Sequence, residues 1–501
     1  MASDGLMFAH VDGFAINSIL FDNDFPSPHI LGGVNMAFGG LGYVARRAGA
    51  IFIRRSFQDN PLYKLILRQY IGYLLGKHFP LSWAFEGTRS RVGKLMPPRY
   101  GLLKYVVEAA HATGARNLHI IPVAINYDLI GDVADYASEQ SGAVKRPESF
   151  RWFIGYLRGL RQPLGRIYID FGKPVVIEKP PSGEDRLALY KIAFEVGVEA
   201  NRLAPITLAS IGTMILLGAS PRALTNDELV GQIQALVRWA RERGIRLTSH
   251  FDEENIDQFA ELARVLVASG PVTRYDEGPE RLFGIAPDAH AEASYYRNTT
   301  IHYFVNKAIA ELALLHVSMQ SSTSESDSVK EFWQESERLR DLFKFEFFYA
   351  PTEEFRDEVR SELQRYDVDW EESLAKDSSF ASPFLFRFTP FVAHSTLLSF
   401  VEAYRVVSDV VARHDSDASV EEKDCVAQSL TYSRQAYLQR RISSQASIGK
   451  VLFQNGHKLL ANRGLTEGGG PEQAKRRHEM SQNFRELALR LERIRALALP
   501  N

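Results

Sequence analysis

Two apolar runs of the sequence end in arginine-bearing turns. The run at 50–53, Ala-Ile-Phe-Ile, precedes Arg54 and Arg55, and the run at 81–85 precedes the turn 86–91, Glu-Gly-Thr-Arg-Ser-Arg. A guanidinium presents paired planar donors to phosphate oxygens, and a glycine beside it lets backbone N–H groups approach the same anion. Either turn alone is typical of an arginine-rich protein surface. The two together predict a phosphate-binding site.

These turns need elements that bring them together. Short apolar runs alternate with segments whose apolar residues have helical spacing. The predicted strands are 50–53, 81–85, 119–125 and 166–171, and the predicted helices between them are 61–77 and 101–112. This alternation predicts an α/β domain with a mixed, largely parallel sheet, and it places both arginine turns at strand ends.

The second turn continues into a longer pattern, Val92-Gly93-Lys94-Leu95, with Pro97-Pro98 and Gly101-Leu102-Leu103 beyond it. This run resembles the third signature block of the glycerolipid acyltransferases, in the branch that uses glycerol-3-phosphate or dihydroxyacetone phosphate. Residues 49–55 resemble the second block, and 120–127, around Pro122, resemble the fourth. Similarity continues through 295–299 and 399–405, so the resemblance covers most of the chain.

The first block of this family, a histidine followed after four residues by an aspartate, is altered here. Counting back from Asp12 places Met7 at the histidine position, whereas the nearest histidine is His10. In an extended segment, residues two apart point to the same face. The resemblance therefore implies His10 as the general base and Asp12 as the carboxylate that orients it.

The resemblance implies transfer of a fatty acyl group from acyl-CoA or acyl-carrier protein to the sn-1 hydroxyl of glycerol-3-phosphate, which gives lysophosphatidate. A histidine with a pKa of about 6.5 suits general-base work at neutral pH. Glu86 would organise the arginine turn, and Pro122 would shape the wall of the pocket. The residues that the resemblance implies at the acceptor phosphate, including Glu86, are Arg54, Arg55, Glu86, Gly87, Thr88, Arg89 and Ser90.

Several alternatives stay open. The acceptor could be dihydroxyacetone phosphate or a lysophospholipid. Met7 at the base position leaves room for a catalytically silent acyltransferase-like protein that binds a lipid or a partner. If His10 is not the base, His29 and His78 are the next histidines to test.

Composition limits the cofactors and partners. The single cysteine, Cys425, permits no internal disulfide, which suits a reducing cytoplasm, and no histidine or cysteine cluster has zinc-ligand spacing. A thioester donor is already activated, so we expect neither metal nor cofactor. The 59 basic and 61 acidic residues give a net charge of −2, which provides no overall attraction to nucleic acid.

The sequence predicts a protein that is peripheral on the cytoplasmic face of the cell membrane. The longest apolar run, 206–218, is shorter than the roughly twenty residues that a spanning helix needs, so we expect a buried helix there. The first residues carry no basic region of a signal peptide. Family members usually have a segment before the first block, so we expect the N-terminus to be truncated or differently assigned.

We predict three domains: a catalytic domain at 1–205, a winged-helix-like helical module at 206–299, and an α-helical C-terminal domain at 300–501. In the module, a capping box at 225–228 begins one helix, and a second helix is expected over 255–268. The segments 270–275 and 281–285 would form its hairpin. Because acidic residues crowd the second helix, we interpret the module as structural and expect no nucleic-acid partner.

Two features of the last domain also give predictions. The aromatic-rich stretches 344–349 and 380–400 are typical of a core. The basic residues Lys475, Arg476 and Arg477 are interpreted as a solvated helix face.

Overall fold

A computed structural model describes residues 8–34, 41–54, 60–87, 90–131, 133–142, 165–182, 184–251, 263–268, 270–320 and 327–499. The chain divides into two compact units, one formed by 1–127 with 166–205 and the other by 128–165 with 206–501. All residues from 206 onward belong to the second unit, and 206 is where the second domain is predicted to begin. The segment 128–165 groups with the second unit instead of the first, and the division into three domains stays a prediction.

The strands, numbered along the chain, are β1 His29–Gly33, β2 Ala50–Ile53, β3 Leu81–Trp83, β4 Leu118–Ile120, β5 Val123–Tyr127, β6 Ile167–Phe171, β7 Val175–Ile177, β8 Leu224–Thr225, β9 Thr273–Tyr275 and β10 Leu282–Gly284. The helices of the first unit and of the segment after it are α1 Phe8–Asp22, α2 Leu41–Arg47, α3 Pro61–Gly76, α4 Tyr100–Ala112, α5 Val133–Gln140 and α6 Arg186–Leu203.

The remaining helices belong to the second unit. They are α7 Leu208–Ala219, α8 Asn226–Glu242, α9 His290–Asn298, α10 Val305–Gln320, α11 Ser328–Leu342, α12 Thr352–Gln364, α13 Trp370–Lys376, α14 Ala381–Arg387, α15 Ala393–Val411, α16 Glu422–Leu438, α17 Lys450–Asn462 and α18 Gly470–Ala498. The helical C-terminal region is confirmed.

The first unit is built on a small parallel sheet with the strand order β2-β1-β3. Leu31 in the central strand pairs with Ile51 on one side and Trp83 on the other. Helix α3 is the crossover between β2 and β3, and it packs with α4 over a shared apolar cluster. An acyltransferase-type α/β domain is confirmed, although the described parallel pairing is limited to β1–β3.

The other strands of this unit form two antiparallel ladders, β4 with β7 and β5 with β6. The single strand predicted over 119–125 is wrong, because the chain forms β4 and β5 with Pro122 between them. Proline has no N–H to donate to a ladder, so pairing changes at this point. The strands β1 and β7 were not among the predicted elements.

The N-terminal segment is helical from Phe8. The expectation of an extended segment around His10 and Asp12 is therefore wrong. Nothing in Phe8-Ala9-His10-Val11-Asp12, such as a proline, blocks a helix. Met7 lies outside the described residues.

The second unit begins with the buried helix predicted from the run 206–218. Nearly every residue of α7 is buried, and the Thr207 and Ser210 side chains form a reciprocal cap at its start. The capping box predicted at Thr225 and Glu228 is also present and begins α8. No helix in the described part of the chain is long and apolar enough to cross a bilayer.

A three-stranded antiparallel sheet follows, with the order β8-β10-β9. It contains the predicted hairpin, in which Phe283 pairs with Arg274. Residues 255–262 of the predicted second helix lie outside the described residues, and the backbone is helical at 263–268. The winged-helix-like module therefore stays a prediction.

The C-terminal helices pack around α15, which contacts α16, α17 and α18. Phe384, Phe388 and Phe400 are fully buried, as expected for an aromatic-rich core. The interpretation of 475–477 as a solvated face is wrong for Arg477, which is 1% exposed. Its guanidinium donates hydrogen bonds to the backbone carbonyls of Leu465, Asp415, Ala418 and Glu467.

Candidate active site

The parallel sheet of the first unit brings the two arginine turns to the same edge. Strands β2 and β3 both run parallel to β1, so the residues that follow their carboxyl ends, Arg54 and Glu86, lie on one side of the sheet. One strand separates β2 from β3, which places the two turns about 10 Å apart at a spacing of about 4.8 Å per strand. The carboxyl edge of a parallel sheet is where α/β proteins bind their ligands.

Arg54 is held by the first turn of α3. Its backbone N–H donates to the Tyr63 hydroxyl at 3.1 Å, and its guanidinium carbon lies 5.4 Å from the centre of the Tyr63 ring. Tyr63 is fixed in turn, because its own N–H donates to the Asn60 side chain at 2.9 Å. Arg54 remains exposed to solvent. An anchored backbone with an exposed guanidinium is suited to binding an anion.

Glu86 organises the second turn from within. It is 1% exposed, and its Oε1 accepts a hydrogen bond from the Met96 N–H at 2.7 Å. A second bond closes the same loop, from the Arg99 N–H to the Phe85 carbonyl at 3.0 Å. These contacts fix the two ends of the turn against each other. Because its carboxylate is buried, Glu86 is placed to organise the turn and is not exposed to a substrate.

Gly87 and Ser90 both contribute to the conformation of the second turn. Gly87 has a φ of +61°, and a Cβ there would lie 2.8 Å from Arg99 Cγ, so a larger residue is strained in both respects. Ser90 is buried and its hydroxyl donates to the Lys94 carbonyl at 2.8 Å. Since a serine has one O–H to donate, this contact assigns Ser90 to the turn itself.

Arg55, Thr88 and Arg89 lie outside the described residues, and their predicted contacts with the phosphate stay predictions. Pro122 is buried and its carbonyl accepts a hydrogen bond from the Gly172 N–H at 2.8 Å. It follows Ile120, which shares an apolar cluster with Phe85. The fourth block therefore supports the strand end from which the second arginine turn begins.

His10 and Asp12 both lie on α1. Successive helical residues are rotated by about 100°, so positions 10 and 12 are about 200° apart around the helix axis. The geometry that would let Asp12 orient His10 depended on an extended backbone. Their catalytic roles stay predictions, but the helix removes the reason for treating them as a hydrogen-bonded pair.

The two alternative histidines lie at the opposite edge of the sheet. His29 is the first residue of β1, about 13 Å from the carboxyl end of a five-residue strand. Its ring packs edge-on against Phe79, which just precedes β3. His78 also precedes β3. Neither histidine lies at the edge that carries Arg54 and Glu86, and the assignment of the base to His10 stays a prediction.

Tyr63 is the site residue that sequence reasoning missed. A usable signal was present, because Asn60-Pro61 is typical of a helix start and places residue 63 in the first turn. No sequence rule links that turn to Arg54, however. The link follows from the path of the chain from β2 directly into α3.

Two family models match this chain. The model described as acyltransferase matches residues 9–126, and the model described as glycerol-3-phosphate acyltransferase C-terminal region matches residues 136–468. The chain belongs to the glycerol-3-phosphate acyltransferase family. The resemblance found in the signature blocks is confirmed, and the protein is an O-acyltransferase by family.

Individual relatives agree with this assignment. A protein named "Putative acyltransferase plsB1" in Mycobacterium tuberculosis is 33% identical over 500 residues, which cover 98% of this chain and 80% of that protein. The protein of the same name in Mycobacterium bovis matches equally well. A glycerol-3-phosphate acyltransferase of Haemophilus ducreyi is 28% identical over 341 residues, covering 65% of this chain and 42% of that protein.

Two distant segments that resemble the family contact each other in the second unit. Arg297, in 295–299, donates to the Ser399 hydroxyl at 2.9 Å and lies 5.7 Å from the Phe400 ring. It also donates to the Asn298 side chain. Burial lowers the pKa of Arg297 to about 10. These contacts explain both segments as parts of one buried packing contact between α9 and α15.

Proposed function

We propose that this family member transfers a fatty acyl group from acyl-CoA or acyl-carrier protein to the sn-1 hydroxyl of glycerol-3-phosphate, giving lysophosphatidate for phospholipid synthesis. The observation that carries this proposal is the placement of Arg54 and the Glu86 turn at one edge of the parallel sheet. The name of the Haemophilus ducreyi relative supports the same acceptor.

In the proposed reaction, Arg54 and the turn at 86–90 hold the acceptor phosphate by charge-assisted and backbone hydrogen bonds. The sn-1 hydroxyl attacks the thioester carbonyl while His10 accepts its proton. A C–O bond forms, the C–S bond breaks, and the leaving thiolate takes the proton from the histidine. The products are the acyl ester and a free thiol. We propose that no metal or covalent enzyme intermediate takes part, because the thioester is already activated.

The alternative acceptors differ in size and in whether they carry an acyl chain. Glycerol-3-phosphate and dihydroxyacetone phosphate are small, whereas a lysophospholipid adds an acyl chain to the same phosphate. An assay of radiolabelled acceptors with a long-chain acyl donor decides between them. We expect glycerol-3-phosphate to be acylated faster than lysophosphatidate. Faster acylation of a free sn-2 hydroxyl would contradict the proposed acceptor.

Replacing Arg54 by alanine should weaken use of the acceptor. Loss of a charge-assisted contact is expected to remove about 2 kcal/mol of binding energy, which lowers kcat/KM for glycerol-3-phosphate roughly thirtyfold. The KM for the acyl donor should barely change. Steady-state kinetics with each substrate varied in turn measures both values.

Arg116 offers a matched control, because it is an exposed arginine of the same unit that precedes β4. Arg116→Ala should leave both KM values unchanged. Equal losses for donor and acceptor in Arg54→Ala would remove Arg54 from the acceptor site.

We propose that the protein is peripheral on the inner face of the cell membrane, where its acyl donor and its lipid product meet. Because the longest apolar run, in α7, is used in the core of the second unit, we propose that the attachment is by a surface of the protein and not by this run.

A further inference from the structure

Helix α3 is apolar on two opposite sides. Its inner side places Leu67 and Ile71 in a cluster with Tyr105 and Val106 of α4. Its outer side faces solvent. The exposed residues of that side are Leu62, Leu65, Ile66, Gln69, Tyr70 and Tyr73. We call these six residues the outer face of α3. A helix that is apolar on both sides is expected to be covered on both.

The outer face is continuous. Each of its residues has another member of the face three or four positions away, so the six form one stripe along three turns of the helix. Leu62 is 64% exposed and Tyr73 is 58% exposed. Single exposed apolar side chains are normal on a protein surface, but a continuous stripe marks an interaction site. Among the described residues, most exposed large apolar side chains lie in the first unit, although it is the shorter one.

The charges around the stripe indicate what covers it. Residues 60–85 contain no aspartate or glutamate, so no carboxylate here would repel anionic headgroups. Arg68 lies on the flank and is paired with Glu108 at 2.8 Å. Lys77, just beyond the helix, is exposed. The stripe itself is uncharged, which suits a bilayer better than an acidic protein partner, because such a partner needs free cations across the contact.

Tyrosine supports the same choice of partner. Tyr70 and Tyr73 add rings with an apolar body and a polar tip, which are favoured at the level of lipid headgroups. Leu62, Leu65 and Ile66 supply the aliphatic area that an interfacial helix buries.

We propose that the outer face of α3 docks on the surface of a lipid bilayer. The same helix holds Arg54 through Tyr63, so docking places the phosphate-binding edge of the sheet next to the lipid. The inference rests on the proposed function only in that the product of the reaction is a lipid, which must leave into a bilayer.

The test is co-flotation of the full chain with vesicles of phosphatidylcholine, with and without phosphatidylglycerol. The double variant Leu65→Gln/Ile66→Gln should lower the partition coefficient at least about tenfold, because two aliphatic side chains lose their burial in the interface. Since the stripe is uncharged, high salt should leave most of the unmodified protein bound.

A matched control is Leu438→Gln/Leu489→Gln, which changes two leucines of the second unit that are 81% and 64% exposed. This variant should bind vesicles like the unmodified chain. Circular dichroism should show that both variants are folded, as expected for exposed positions.

Three results would overturn the proposal. They are equal vesicle binding by the α3 variant and the unmodified chain, dimers in solution that the α3 variant abolishes, and an acyl-carrier protein that competes with vesicles for this face. Failure of the proposed function can be told apart, because Arg54→Ala should have a lower kcat/KM for glycerol-3-phosphate and keep full vesicle binding.

Discussion

Replacing His10 by alanine should lower kcat by a hundredfold to ten-thousandfold, the range that general-base assistance contributes. Replacing Asp12 should cost much less, below about tenfold, because positions 10 and 12 are about 200° apart on α1. Two positions on opposite sides of a helix do not suit a base and the carboxylate that orients it. Rates at saturating glycerol-3-phosphate and acyl-CoA measure the effect on the chemical step.

Met7→His is the informative companion to these variants. If the family register applies, with four residues between the histidine and the aspartate, a histidine at position 7 should raise the rate, and His10→Ala should be harmless. That pair of results would show that His10 is not the base. An unmodified chain that binds glycerol-3-phosphate through Arg54 without turnover would favour the silent binding protein over the enzyme.

The parts of the site that the sequence predicts are those set by local rules. Strand β2 and the crossover helix α3 begin where periodicity and the Asn60-Pro61 signal place them. The glycine at position 87 has the positive φ that a tight arginine turn requires. Such features depend on a few neighbouring residues, so they can be read without knowing the rest of the fold.

The parts that the sequence does not predict depend on distant contacts. The central strand β1 is only His-Ile-Leu-Gly-Gly, and its strand conformation comes from pairing with β2 and β3 on both sides. The pairing also decides that His29 lies at the wrong edge for catalysis. In the same way, Arg54 gains its anchor at Tyr63 only because the crossover helix begins beside it.

Arg477 shows the same limit in the second unit. A run of lysine and arginine near the end of a helical chain is usually solvated, and Lys475 is indeed 68% exposed at its side chain. Arg477, two residues on, lies on the buried side of α18, where its forked donors join two loops that the sequence separates by about fifty residues. Lys475 and Arg477 differ in exposure only because they lie on different sides of α18. Which side is buried depends on the packing of the helix and not on the local sequence.

Replacing Arg477 by methionine is therefore expected to lower the free energy of unfolding by about 3 to 5 kcal/mol. Methionine keeps an unbranched apolar stem but is shorter and has no guanidinium, so four backbone carbonyls lose their donor inside the protein. Arg477→Lys should recover only part of this loss, because an ammonium group cannot reproduce the planar fork of the guanidinium.

Lys475→Met on the same helix is the control, and its effect should stay within about 0.5 kcal/mol, since its pair with Glu479 is a surface ion pair with 3.9 Å between Nζ and Oε1. Denaturant unfolding of the full chain, followed by helical circular dichroism, compares the variants. If Arg477→Met unfolds at the same denaturant concentration as Lys475→Met, the buried fork does not stabilise these loops. A loss confined to Arg477→Met would show that this arginine holds the segments 415–418 and 465–467 against α18.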